Sequence, residues 1–266
     1  MMQLFFEIRP MNRLFLLFFI FVTVKSFCLY QGNPASCELP RLGLFIPEER
    51  ALSCKVGFQT NKVFSKKMFL DVTQTQGIFM VPSISSFANQ GTITLNIIDR
   101  LEIFVTAGKM QISSRNALFD EASLQLEGTA GAVWSIGGRA LILLWGNTAL
   151  GGEASYLSSS SHLKSLTIGG ESRSWTYNHQ SYEEWQIQVA LSQELSFFSF
   201  YAGGAYSYTE LTLKLPAYKV HATYKNRHKL SMVVGASASL SRALFANIEG
   251  KWFGEKSLGG SLDVRF

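Results

Sequence analysis

Residues 183–192 read EEWQIQVALS, and their alternation decides the fold. Trp185, Ile187, Val189 and Leu191 fall on one side of an extended chain, and Glu184, Gln186, Gln188 and Ser192 on the other. Successive side chains of a strand point to opposite faces, so this segment has one apolar and one polar face. The pattern recurs. In residues 131–145, Trp134, Ile136, Ala140, Ile142 and Leu144 oppose Ser135, Gly137 and Arg139. In residues 230–239, Leu230, Met232, Val234, Ala236 and Ala238 oppose mostly Ser and Gly. The chain end sets Leu262, Val264 and Phe266 against Ser261, Asp263 and Arg265.

Composition narrows the classes. The chain has 266 residues, 47% hydrophobic and 16% charged, with 22 glycines, six prolines, three cysteines and 21 phenylalanines. It is too apolar and too poor in charge to be disordered. No segment holds the 18 or more consecutive apolar residues of a membrane-spanning helix.

The one long apolar run, LFLLFFIFVTV at residues 14–24, follows Asn12 and Arg13 and suits the hydrophobic region of a secretory signal. Residues 1–28 are therefore expected to be a signal peptide, with Ser26 and Cys28 before the cleavage point and Met11 as an alternative initiator. Residues 29–266 are then the exported barrel domain, which begins with a short N-terminal segment. Removing 1–28 takes away Arg9, Arg13 and Lys25 together with Glu7, leaving a mildly basic chain. That balance, with no basic stripe or stacking platform, gives no case for nucleic acid. Bulky Phe27 before Cys28 argues against lipidation there.

Tight turns at Asp99-Arg100, Gly146-Asn147, Gln193-Glu194 and Ser241-Arg242 recur at intervals of 47, 47 and 48 residues. Longer Ser-, Asn- and Gly-rich stretches lie between them. Short turns at one end and long loops at the other mark an outer-membrane barrel. The expected fold is all-β, a transmembrane antiparallel up-and-down β-barrel of about 12 strands, within roughly 10 to 16. Strands are placed near 39–46, 51–64, 68–80, 91–98, 101–113, 130–144, 147–157, 182–192, 196–212, 229–240, 243–253 and 259–266, with a short extra strand outside the membrane band at 161–168. A soluble sandwich would carry Lys, Glu and Thr on its second face; here that face is rich in Gly, Ala and Ser, which suits a crowded barrel interior.

The alternation directs Lys55, Arg139, Glu184, Asn247, Glu249, Lys251, Asp263 and Arg265 into the lumen. Ionisable groups at membrane depth are costly unless they meet water or each other, so the interior is either hydrated or plugged by salt bridges. Tyr156, Trp185, Tyr206 and Trp252 fall on the outer face near strand ends, where amphipathic rings sit at headgroup level. Phe266 matches a C-terminal signal by which barrel-assembly machinery recognises exported barrels. Cys37 and Cys54 remain in the exported chain; a bridge within the chain needs the segment before Pro40 to fold back, and free thiols are the alternative.

No catalytic or metal constellation stands out, and no cofactor is expected. His162, His179, His221 and His228 lie in or beside loops without metal-ligand spacing. His162 beside the Ser158–Ser161 run is the nearest approach to a nucleophile and base. Glu183 and Glu184 are consecutive strand residues and point apart, so they cannot serve as an acid–base pair.

Five blocks, taken in order, resemble the chlamydial major outer membrane porin family. They are GNPA at 32–35, TITLNIIDRLEIFVTAG at 92–108, WSIGGR at 134–139 followed by GNTALGGEASY at 146–156, YEEWQIQVAL at 182–191, and VRF at 264–266. The chain departs from that family in its few cysteines, its short loops, and Ile98 and Val105 in the second block. The resemblance implies a multi-pass protein of the bacterial outer membrane, in contact with its lipid. It implies a porin-like channel passing small hydrophilic solutes and ions by diffusion, a homotrimer, and interchain bridging by cysteine. Two further readings stand beside the channel: a closed barrel serving as a structural envelope or surface-recognition protein, and a lipid-modifying barrel enzyme.

Overall fold

A computed structural model describes residues 32–34, 52–74, 79–81, 83–97, 100–119, 122–168, 171–173, 178–195, 198–216, 220–240 and 243–266. The signal-peptide reading, Met11, Cys37 and the expected strand at 39–46 lie outside these residues. The described chain is antiparallel β-structure, with strands β1 (Leu52–Gln74), β2 (Phe79–Met80), β3 (Ser83–Ile97), β4 (Leu101–Phe119), β5 (Ala122–Gly128), β6 (Gly131–Trp145), β7 (Thr148–Ser161), β8 (Leu163–Ile168), β9 (Glu171–Arg173), β10 (His179–Leu195), β11 (Phe198–Leu215), β12 (Val220–Asn226), β13 (Leu230–Ser239), β14 (Leu244–Trp252) and β15 (Glu255–Arg265).

Ten of these close a ring, in the order β1, β15, β14, β13, β11, β10, β7, β6, β4, β3 and back to β1. The wall therefore has ten strands, where the sequence suggested about twelve. The two strands expected at 51–64 and 68–80 are one, β1, which runs through the polar stretch Ser65-Lys66-Lys67 that reads as a turn. Register shifts between Val63 and Ser65, and again between Leu70 and Val72, let it do so. A bulge adds one residue without breaking the pairing and flips the faces beyond it. Val63 and Lys66 both face inward for this reason.

The expected turn at Gln193-Glu194 is also displaced. Both residues belong to β10 and pair with Phe200 and Ser199, so the connection falls between Leu195 and Phe198. The Gly146-Asn147 turn stands as read, with Gly146 at φ 60°, a left-handed conformation that glycine adopts without a Cβ clash. The segment at 161–168 supplies β8, which pairs with β5 and β9 beyond the main wall.

A second, smaller ring is built into the same sheet. The β14–β15 hairpin turns at Phe253 and Gly254, and above it β12 pairs with β1 on one side and β11 on the other. One strand there replaces three, so the circuit β1, β12, β11, β10, β7, β6, β4, β3 closes with eight. An eight-stranded barrel is just wide enough for side chains to fill. Its interior is filled by Met68, Ile84, Met110, Ile112, Val133, Leu157, Tyr182, Leu211, Leu213 and Tyr224, a single apolar core drawn from all eight strands.

The faces exchange character between the two rings. Around the ten-stranded part the outer face carries Val56, Phe58, Ile93, Leu95, Val105, Ile187, Val189, Leu191, Phe200, Met232 and Leu262, all exposed, while the inner face carries Gln, Thr, Ser and charged residues. Around the eight-stranded head the interior is apolar, and Ser181, Glu183, Thr212, Lys214 and Lys225 occupy outer-face positions. On β10 the outer stripe from Trp185 to Leu195 is apolar at every position but Gln193. Those ten steps span about 33 Å along the strand, or roughly 25 Å along the axis at a tilt of about 40°, the height of the apolar band on membrane barrels.

Candidate functional site: the barrel interior

The alternation of each strand aims its polar residues at the axis, and two charged networks form there. In the upper one, Lys66 Nζ lies 2.6 Å from Glu184 Oε1 and 2.8 Å from Glu255 Oε2. It also donates to Thr209 Oγ1 at 3.0 Å and to the Tyr182 hydroxyl at 3.3 Å, and that hydroxyl donates to Glu184. β1 and β10 are five positions apart in either direction around the ten-strand ring, so the Lys66–Glu184 contact crosses the bore. Lys251 continues the network, donating to Gln186 Oε1 at 2.9 Å and lying 3.8 Å from Glu255 and 3.7 Å from Glu249. Glu249 Oε2 accepts from Gln188 Nε2 at 3.2 Å and from the Tyr201 hydroxyl at 3.1 Å. All of these side chains are nearly fully buried.

The second network sits nearer the short-turn end. Glu102 pairs with Lys55 and accepts from Asn96 Nδ2 at 3.2 Å and from Arg139 Nη1 at 3.3 Å. Arg139 Nε donates to Glu153 Oε2 at 2.5 Å, and its guanidinium lies 4.8 Å from the centre of the Phe104 ring. Between the networks runs a belt of neutral hydrogen bonds: Gln59 to Gln90 at 2.9 Å, Gln90 to Thr106 at 2.8 Å, and Thr106 with Ser135 at 2.6 Å. Buried charges are tolerable only when paired and hydrogen-bonded, as here. Other interior polar atoms have no protein partner, among them both amide atoms of Asn61 and the hydroxyls of Ser53 and Thr92.

At the short-turn mouth, residues 32–34 are buried, and Asn33 Nδ2 donates to Ser192 Oγ at 2.9 Å and Ser199 Oγ at 3.0 Å. These serines belong to β10 and β11, across the ring from the start of β1 at Leu52. Residues 32–34 therefore sit at this end of the bore.

All eight residues assigned to the lumen from sequence have interior-face positions. Lys55, Arg139, Glu184, Glu249 and Lys251 enter the charged networks. Asn247 donates to Ser261 Oγ at 3.1 Å and Asp263 Oδ2 at 3.4 Å, while Arg265 is buried beside Lys55. The sequence reading missed Lys66, Glu102, Glu153 and Glu255. Glu102 and Glu153 were within reach of the alternation argument, since each follows its apolar or small neighbours in step; Lys66 was hidden by the bulge.

Trp185, Tyr206 and Trp252 are exposed on the outer face, and Tyr156 is half-buried between Trp134 and Trp185, with ring centroids 5.5 and 4.5 Å away. Phe266 donates its backbone N–H to the Cys54 carbonyl at 2.8 Å, tying the chain end to β1. Cys54 is half-buried, its Sγ 3.8 Å from the Lys55 carbonyl. The expected bridging of Cys37 lies outside the described residues.

His162 Nδ1 lies 2.6 Å from the Asn178 carbonyl, and Ser161 Oγ accepts from Gln180, so neither is set against the other as base and nucleophile. Among the described residues no group of three or more His, Cys, Asp or Glu is placed to hold a metal ion. In the head, burial raises the Tyr224 hydroxyl above its ordinary value, and the bond to Asp71 raises the Lys225 ammonium.

No protein-family model matches the chain, and no curated protein sequence does. Several solved structures are similar to it in fold. The outer membrane protease OmpT from Escherichia coli aligns with a TM-score of 0.40 at 11% identity, over 80% of this chain and 94% of that one. The translocator domain of the autotransporter NalP from Neisseria meningitidis gives 0.37 at 11% identity, over 82% and 88%. The toluene transporter TodX from Pseudomonas putida gives 0.31 at 8% identity, over 90% and 94%.

Proposed function

We propose that this chain is a bacterial outer-membrane β-barrel whose bore is closed, an envelope protein that carries its eight-stranded head on the outer surface. The observation that carries this reading is the Lys66–Glu184 contact across the ring, capped by the apolar core of the head. A hydrated solute meets first a wall of Leu, Met and Tyr and then a crossing ion pair. Neither yields without repacking or without stranding a buried charge. The ordered likeness to chlamydial porins and the apolar outer band support the envelope setting.

A porin-like channel is the second reading, favoured by the unpartnered polar atoms of Asn61, Ser53 and Thr92, which suit a wetted interior. It requires the head core to part. Planar-bilayer recording on refolded, heat-modifiable protein separates the two. A silent membrane supports the closed barrel, and discrete conductance steps under the same conditions favour the channel. No reaction is assigned to the chain.

A further inference from the structure

The wall also carries a hollow on its outside. Just above the apolar band, strands β1, β3, β4 and β5 border a cavity of about 660 Å³, lined by Lys62, Phe64, Phe87, Gln111, Gln125 and Glu127 together with serines of β3 and β4. Its lower edge is aromatic, and the Lys62 ammonium lies 5.9 Å from the centre of the Phe64 ring. Apart from Ile84 and Leu126 the rest of the lining is polar, although the cavity opens on the face that is apolar a few residues further down the same strands.

Cations gather around it. Lys62 and Lys67 of β1, Lys109 of β4 and Lys256 of β15 all sit at outer-face positions, each between two inward-facing neighbours. β15, β1, β3 and β4 are consecutive in the ring. Among the described carboxylates near them, Asp71 is 2.6 Å from Lys225, and Glu127 of the cavity lining lies 3.9 Å from Lys164 as an exposed pair. On the other side of the ring, the same level carries Glu183 and Glu210 on the outer face. That side also carries Lys225 and Lys229, so its charge is mixed, whereas the four lysines named above cluster on adjacent strands.

We infer that this cavity holds the headgroup of a phosphorylated glycolipid from the surrounding leaflet. Lysines answer its phosphate, the serine hydroxyls and the Gln111 and Gln125 amides answer its sugar, and Phe64 and Phe87 meet the start of its acyl chains. This rests on the membrane reading above. An anionic headgroup at the interface gains from each nearby lysine, whereas a zwitterionic one gains far less. A concave polar site also favours a headgroup with many hydroxyls over a bare phosphodiester.

The full chain, refolded into phosphatidylcholine vesicles doped with lipid A, tests it. Native mass spectrometry of the released barrels reads which lipid stays bound, and flotation of the vesicles separately reads insertion. Lipid A is expected to be retained over phosphatidylcholine. Lys62→Gln and Lys109→Gln are each expected to weaken retention about fivefold, and Lys229→Gln, in the opposite sector, to leave it unchanged. Equal retention by wild type and by Lys62→Gln combined with Lys109→Gln overturns the proposal, as does full displacement by inorganic phosphate, which marks a free-anion site. Failure to float with the vesicles instead overturns the membrane reading.

Discussion

Lys66 of β1 and Glu184 of β10 meet at 2.6 Å, although they sit on opposite strands of a ten-strand ring. The contact exists because the ring narrows at that level, where the β14–β15 hairpin ends at Phe253 and β12 takes over. One ammonium then serves both Glu184 and Glu255.

Lys66→Met leaves Glu255 with Lys251, 3.8 Å away, and Glu184 with the hydrogen bond from the Tyr182 hydroxyl. Removing one partner of a buried pair costs about 3–5 kcal/mol. Denaturant unfolding of the refolded barrel measures the loss. Lys66→Met combined with Glu184→Gln is expected to recover part of it, with a coupling of about 1 kcal/mol or more. Strict additivity of the two changes means that the side chains do not meet.

The inversion of faces makes position along one strand decisive. Val189 and Ser181 share the outer face of β10, the first in the apolar band and the second on the head. Val189→Arg is expected to cost about 2–4 kcal/mol in vesicles, whereas Ser181→Arg stays within about 0.5 kcal/mol. Equal effects at both sites contradict a membrane boundary between them.

Inside the head, Leu213 is 1% exposed and packs in the core common to the eight strands. Leu213→Ala is expected to destabilise by about 2–5 kcal/mol, through lost burial and the cavity left behind. A change under 1 kcal/mol means that the head interior is loose rather than filled.

Asn33→Ala removes the hydrogen bonds from its amide to Ser192 of β10 and Ser199 of β11. The expected cost is about 1–3 kcal/mol, with faster labelling of Ser199→Cys by a hydrophilic thiol reagent. Unchanged labelling indicates that residues 32–34 do not shield this mouth.

The Lys225–Asp71 pair gives a pH signature. Its lysine is held above the ordinary value of 10.5, first by the bond to Asp71 and next by that to Tyr208. The contribution is whole below that ordinary value and is lost as pH climbs through the raised one. NMR titration of the Lys225 ammonium is expected to show an upward shift that Asp71→Asn reduces.

Much of this was legible along the chain. Trp185 to Leu191 declares a strand with unlike faces, and the same argument brings Lys55, Arg139, Glu249 and Lys251 inward, because side-chain direction in a strand depends only on counting by two. Counting fails where the backbone adds a residue. The bulge at Val63/Ser65 reverses the count, so the polar run at Lys66 resembles a turn and the strand total rises. Glu153 and Glu255 gain their meaning from partners on other strands.

Local periodicity thus settled the β-class, the alternation of faces and most of the charges that turn inward, since these follow from the geometry of a single extended chain. Ring size, the eight-stranded head and the crossing of Lys66 to Glu184 were decided by closure alone. They depend on which strands lie next to one another and where the hairpin of β14 and β15 stops, and pairing between distant segments leaves no mark in the spacing of either one.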